Sequence, residues 1–103
     1  MNQVEATLIQ RQRKFLVQFA TIDGDFYSLS GRINRSLHLS GHSKAIVEYE
    51  NISRLTGRSR FSGSLEGTTY EITMANGVLV KGNLDVTVGG KTEINGEAVW
   101  LSI

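Results

Sequence analysis

A chain of 103 residues is the size of one domain built around one core, so residues 1–103 are read as a single domain. Cysteine and proline are both absent, which excludes disulfides and thiolate metal sites and leaves the turns to Gly, Asn, Asp and Ser. Net charge is only +1, yet residues 11–60 carry nine Lys or Arg against four Asp or Glu, while residues 61–103 carry two against five. This asymmetry suits ordinary solvated strand faces, a polyanion-binding face or charge-complementary self-association. There is no apolar run of bilayer-spanning length, and the N-terminus lacks the apolar core of a signal peptide. The expectation is therefore a cytoplasmic chain with no membrane association, although a mature chain whose signal has been removed fits as well. Eleven glycines among short alternating runs point to an all-β domain.

Residues 2–14 carry two signals. Val4, Ala6, Leu8 and Gln10 alternate like a strand, while Asn2 followed by Glu5 resembles a helix capping box. The polar run from Gln10 to Lys14 offers no apolar helical stripe, so a strand is preferred. Arg11, Arg13 and Lys14 form a basic cluster that reads as an edge-strand guard or as phosphate contacts.

Phe15 to Ile33 reads as a hairpin turning at Asp23-Gly24. A three-residue loop, Ile22-Asp23-Gly24, opposes Phe19 to Tyr27, Val17 to Leu29 and Phe15 to Gly31. A two-residue loop would put the apolar rows on opposite faces. Asn34-Arg35-Ser36 is read as the next turn, pairing Ile33 with Leu37, Gly31 with Leu39 and Leu29 with Gly41. Between Ser43 and Gly57, helical spacing (Ile46, Tyr49, Ile52, Leu55) competes with strand alternation (Ala45, Val47, Tyr49). The reading is a strand over 44–50 and an irregular loop over 51–55.

Arg58 to Leu65 alternates again, and Glu66-Gly67 is expected to turn it so that Phe61 meets Ile72 and Gly63 meets Tyr70. Tyr70 to Val88 is the clearest hairpin. The loop Ala75-Asn76-Gly77 pairs Met74 with Val78, Ile72 with Val80 and Tyr70 with Gly82, with Gly77 in the left-handed position. An aromatic faces a glycine in both hairpins, as when a ring covers bare backbone. Gly89-Gly90, with Lys91, is expected to turn the chain once more, setting Val86 on Ile94, Leu84 on Gly96 and Val80 on Trp100. One row would then read Phe61, Ile72, Val80, Trp100, and the next Gly63, Tyr70, Gly82, Ala98. A weak repeat, a polar residue before a mid-strand glycine, recurs in LSGR, LSGH, LTGR, FSGS, VKGN and INGE, as barrel coiling requires.

Chemical motifs are sparse. His38 and His42 would lie about 13 Å apart on one strand, too far for one ion. Alternating serines such as Ser28, Ser30, Ser62 and Ser64 read as a solvated face, and there is no GxSxG elbow or phosphate-binding loop. Glu48, Glu50, Glu93 and Glu97 look like outward strand positions. No catalytic residue, metal or cofactor is assigned, and an enzyme is not expected.

The fold expected is all-β, with about seven or eight antiparallel strands in meander order forming a small closed or partly open barrel, a β-sandwich being the alternative. Its core should hold Phe15, Val17, Phe19, Tyr27, Leu29, Leu39, Phe61, Tyr70, Ile72, Val80, Leu84, Val86, Ile94 and Trp100. The leading functional expectation is a non-catalytic binding module acting through protein contacts, itself included, with Val99, Leu101 and Ile103 as self-association residues. The alternative is polyanion or nucleic-acid binding by Arg11, Arg13, Lys14, Arg32, Arg58 and Arg60, with Phe26 the main aromatic beside them. A third reading is a small apolar ligand inside the barrel.

Overall fold

The computed structural model describes residues 2–35 and 40–102, with side chains at all of these except 40–42, 85 and 86. Six antiparallel strands form one sheet: β1 (Asn2–Arg11), β2 (Lys14–Ala20), β3 (Phe26–Ile33), β4 (Ser40–Tyr49), β5 (Gly57–Met74) and β6 (Leu79–Ser102). The order is β3-β2-β1-β4-β6-β5, and a further pairing of β3 with β6 closes the sheet into a barrel. β5 and β6 each bend and serve two stretches of the wall, so the segment number matches the expectation. A short 3-10 turn, Ile52–Arg54, follows β4, with the Asn51 side chain accepting from Ser53 N–H at 3.0 Å.

The two strongest turn signals give the register expected from them. β2 and β3 pair Phe15 with Gly31, Val17 with Leu29 and Phe19 with Tyr27. Thr21 N–H donates to Asp25 O (2.8 Å), Gly24 N–H donates to Thr21 O (2.9 Å), and Gly24 takes φ +88°. At the β5–β6 turn, Met74 N–H donates to Val78 O (2.8 Å), Gly77 N–H donates to Met74 O (2.9 Å), and Gly77 takes φ +93°. Ile72 is opposite Val80 and Tyr70 is opposite Gly82. A side chain at such φ is strained, which is why each loop ends in glycine. The ring-over-glycine device is present: a Cβ on Gly31 would fall into the Phe15 ring, and one on Gly82 would lie 2.6 Å from Tyr70 Oη.

Two expected connections are not made. β4 does not pair with β3. It runs along all of β1, from Asn2 opposite Tyr49 to Arg11 opposite Ser40. Gly41 therefore meets Gln10 rather than Leu29, while Leu37 and Leu39 lie outside the described residues. β1 buries Ala6 and Leu8, and without β4 it would present an open edge beside that apolar row. The meander is thus interrupted after β3.

Gly89-Gly90 does not make the expected hairpin either: β6 folds back there together with β5 and does not pair with itself. Gly90 takes φ +78°, opposite a bend at Gly67 (φ +61°). Here the register shifts from Glu66↔Lys91 to Gly67↔Val88 and then to Thr69↔Asn83. The later half of β6 thereby reaches the free edge of β3 and the early half of β5. Trp100 is opposite Leu29 and Gly57 instead of Val80, and Gly96 is opposite Ile33 and Phe61 instead of Leu84. The two halves of β5 lie side by side. Ala75 N–H donates to Arg60 O (2.8 Å), and a Cβ on Gly63 would lie 3.1 Å from Ile72 Cα. Gly63 therefore sits beside Ile72, two residues away from the expected partner Tyr70. The rows built on that pairing are replaced by Val47–Val80–Ile72 and by Leu29–Trp100–Gly57.

Most of the expected core is buried, with Tyr27 and Leu84 packed at its margin. Phe15 meets Phe61 edge-on (5.3 Å, 83°), and Phe19 stacks on Tyr27 (5.8 Å, 22°) and meets Trp100 edge-on (6.0 Å, 83°). Leu39 and the Val86 side chain lie outside the described set. The β1–β4 contribution (Ala6, Leu8, Ala45, Val47, Tyr49) was not anticipated, nor were Ile33, Leu65, Met74, Val78 and Ala98.

Candidate functional site

Strand pairing arranges the outward side chains in rows. Arg11 is opposite Lys14, Lys14 opposite Arg32, Arg32 opposite Glu97, and Glu97 opposite Arg60. The next row reads Ile9, Leu16, Ser30, Val99, Arg58, and the one beyond it Thr7, Gln18, Ser28, Leu101. Ala20 opposite Phe26 completes the face. Strands lie about 4.8 Å apart and successive outward residues about 6.7 Å apart. The basic and apolar candidates, far apart in sequence, therefore share one surface on β1, β2, β3, β6 and β5.

The charges on this face are unevenly compensated. The Glu97 carboxylate lies 3.7 Å from Arg58 Nη1 and 3.8 Å from Arg60 Nε. All three groups are exposed, so these contacts are worth less than about 1 kcal/mol. The Arg13 guanidinium donates to Ile33 O (3.4 Å) and Asn34 O (3.2 Å), tying the β1–β2 turn to the end of β3. That gives Arg13 a structural task that its place in a basic run does not reveal. Among the described residues, Arg11, Lys14 and Arg32 have no carboxylate within ion-pair distance.

The apolar part is Leu101 (55 % exposed) and Phe26 (59 % exposed), with Val99, Leu16 and Ile9 half-buried. Both edges of β6 are occupied here, by β3 and, as far as Trp100, by β5. Another chain cannot add as a strand at 96–100, so Val99 and Leu101 are available only for contact face to face. Ile103 lies outside the described residues.

Elsewhere the surface carries one ion pair among the described residues, and Ile22 and Ile52 stand exposed in the turns after β2 and β4. Lys81 Nζ lies 2.7 Å from Glu48 Oε2, beside a nearly buried carboxylate. Hydrogen bonding from Lys81 holds the Glu48 carboxyl below its usual range against the opposing effect of burial. The same bond and charge push the Lys81 ammonium up. A shallow groove is lined mostly by polar side chains, among them Ser62, Ser64, Glu71, Lys91 and Glu93, with Gly63 and Ile94 in its lining as well. The described residues contain no group of three or more His, Asp or Glu that could hold a metal. His38 and the His42 side chain lie outside the described set.

Inside the barrel, Val17, Leu29, Val47, Met74, Val78 and Val80 are fully buried. Tyr70 Oη and Trp100 Nε1 are buried without a hydrogen-bond partner of sound geometry. Burial raises the Tyr70 phenol, and the Ser43 hydroxyl acts against it. Among the described residues no helix is long and apolar enough to cross a membrane. No family model, curated protein or solved structure matches the chain.

Proposed function

We propose that this chain is a non-catalytic binding module that works through protein contacts on the outer face of β1, β2, β3 and β6. The observation that carries this reading is the exposure of Phe26 and Leu101 beside half-buried Val99, on a stretch of wall whose β6 edges are both paired as far as Trp100. Single exposed apolar side chains are ordinary, but a contiguous group rimmed by charge marks a contact surface. A photo-crosslinking amino acid at Ser30, in the middle of this face, should give adducts of defined mass in cells. The same probe at Thr73, on the opposite wall, should give none. Equal yields at both positions, or none at either, would overturn the reading.

The line Arg11, Lys14, Arg32, Arg60 favours polyanion binding as the second reading. Glu97 interrupts that line, and the line itself contains no stacking ring, which weighs against single-stranded nucleic acid. If it held, the affinity for an oligonucleotide would fall steeply with salt. Lys14→Ala with Arg32→Ala would then reduce the log–log slope by about 1.5 to 2.

A further inference from the structure

The binding face is polarised along its strands. At one end lie Arg11, Lys14, Arg32 and Arg60, with the single carboxylate Glu97 between the last two and Arg13 in the adjoining turn. At the other end lie Glu5 on β1 and Asp23 and Asp25 in the β2–β3 turn. Arg58 and Lys44 sit at intermediate levels, Lys44 opposite Thr7. About 20 Å, or three row spacings, separates the basic row from the Ala20–Phe26 row.

Such a face is complementary to itself when turned end for end. We propose that it binds a second copy of this chain through a two-fold axis perpendicular to the strands. The inference rests on the protein-contact reading above and names the partner. The axis would pass between the Leu16–Val99 row and the Gln18–Leu101 row. Each copy's Val99 then covers the other's Leu101, and each Leu16 lies over the other's Gln18. Each basic row lies over the Phe26 row of the second copy, where Lys14 or Arg32 can sit on the ring face. Lys14 and Arg32, on the two strands that the Asp23–Asp25 turn joins, approach Asp23 and Asp25 of the second copy. Charge decides the direction, because a two-fold axis along the strands would stack each basic row on its own equivalent, and like charges juxtaposed across an interface cost several kcal/mol. Pairing of β6 on both edges excludes the alternative of dimerising by strand addition at 96–100.

On a closed barrel about three neighbouring strands, β2, β3 and β6, can meet a second copy at once, which over three row spacings is about 300 Å² per copy, or about 600 Å² in total, the size of a transient contact. The dimer should accordingly be weak, in the micromolar range, and sensitive to salt.

Sedimentation equilibrium of the full chain up to high micromolar concentration tests this. At about 50 mM salt the chain should dimerise, and at about 500 mM the dissociation constant should rise tenfold or more. Asp23→Lys with Asp25→Lys should abolish self-association, as should Lys14→Glu with Arg32→Glu. Mixing the two reversed proteins should restore a one-to-one dimer, because each basic end then meets an acidic one. Circular dichroism of each variant confirms that it is folded, and the restored mixed dimer is itself a control for folding. A wild-type monomer at high micromolar concentration overturns the proposal, as does a dimer indifferent to both reversals or a failure of the mixed pair to form. A monomer that still crosslinks through Ser30 to a different protein overturns the two-fold dimer and leaves the binding face standing. A monomer with no crosslink overturns both.

Discussion

The two halves of β6 are alike inside and unlike outside. Residues Leu79–Gly82 run between β4 and β5, and Gly96–Ser102 run beside β3 and β5. Each half sends alternate side chains inward. Val80 is fully buried between Val47 and Ile72, and Trp100 is buried between Leu29 and Gly57. Outward, the first half is neutralised by the 2.7 Å Lys81–Glu48 pair. The second half shows Val99 and Leu101, and its Glu97 is shared loosely between two exposed arginines. Inward alternation serves stability in both halves, so it says nothing about function. The outward row differs: the first half carries a half-buried Leu79 beside the Lys81–Glu48 pair, and the later half carries the exposed Leu101 beside Val99.

This comparison can be tested at four points. Leu29→Ala removes the fully buried partner of Trp100 and should cost about 2–5 kcal/mol in urea unfolding. A loss below about 1 kcal/mol would mean that the later half is poorly packed. Gly96→Ala comes next. Its Cβ would strike the Arg32 carbonyl oxygen and approach the Phe61 ring at 3.0 Å. Backbone cannot step aside, so a loss of about 1–3 kcal/mol is expected by the same measurement. A neutral result would show that β3 and β6 are not in close register.

Gly77→Ala bears on the earlier half, placing a side chain at φ +93° in open space. Backbone strain alone should cost about 1 kcal/mol. Gly89→Ala, where nothing lies within 4 Å, should stay within about 0.5 kcal/mol. Equal effects would argue against the left-handed turn. The smallest expected change is at the Glu48–Lys81 pair. A carboxyl held low stabilises the fold above its ordinary value, and that contribution is lost as pH falls through the depressed one. Lys81, held high, contributes below its ordinary value and loses this as pH rises through the raised one. Glu48→Gln should therefore flatten the acid limb of the melting temperature against pH, and an unchanged limb would show that the pair contributes nothing.

The register of both hairpins was legible because short turns have few geometries and a one-residue slip turns an apolar row out to water. Phe19 opposite Tyr27 and Ile72 opposite Val80 follow from that alone. The outward positions of Arg32, Arg58, Val99 and Leu101 follow from period two. Their union into one face was not legible. It requires β6 beside both β3 and β5, and local turn chemistry does not speak to that pairing. Arg13 was read as part of a basic surface, while its bonds to Ile33 O and Asn34 O depend on where β3 ends.

By itself the sequence determined the fold class, which side of each strand faces inward, and the loops at Gly24 and Gly77. Those are local matters of alternation and of backbone conformation that glycine alone adopts freely. Tertiary structure decided that β4 lies on β1, that β6 folds at Gly89-Gly90 without pairing on itself, and that Gly96 lies opposite Phe61 rather than Leu84. Any two apolar strands of period two can pair, so local patterning leaves these choices degenerate. Closing every edge while burying every apolar row selects among them, and that is a property of the whole barrel.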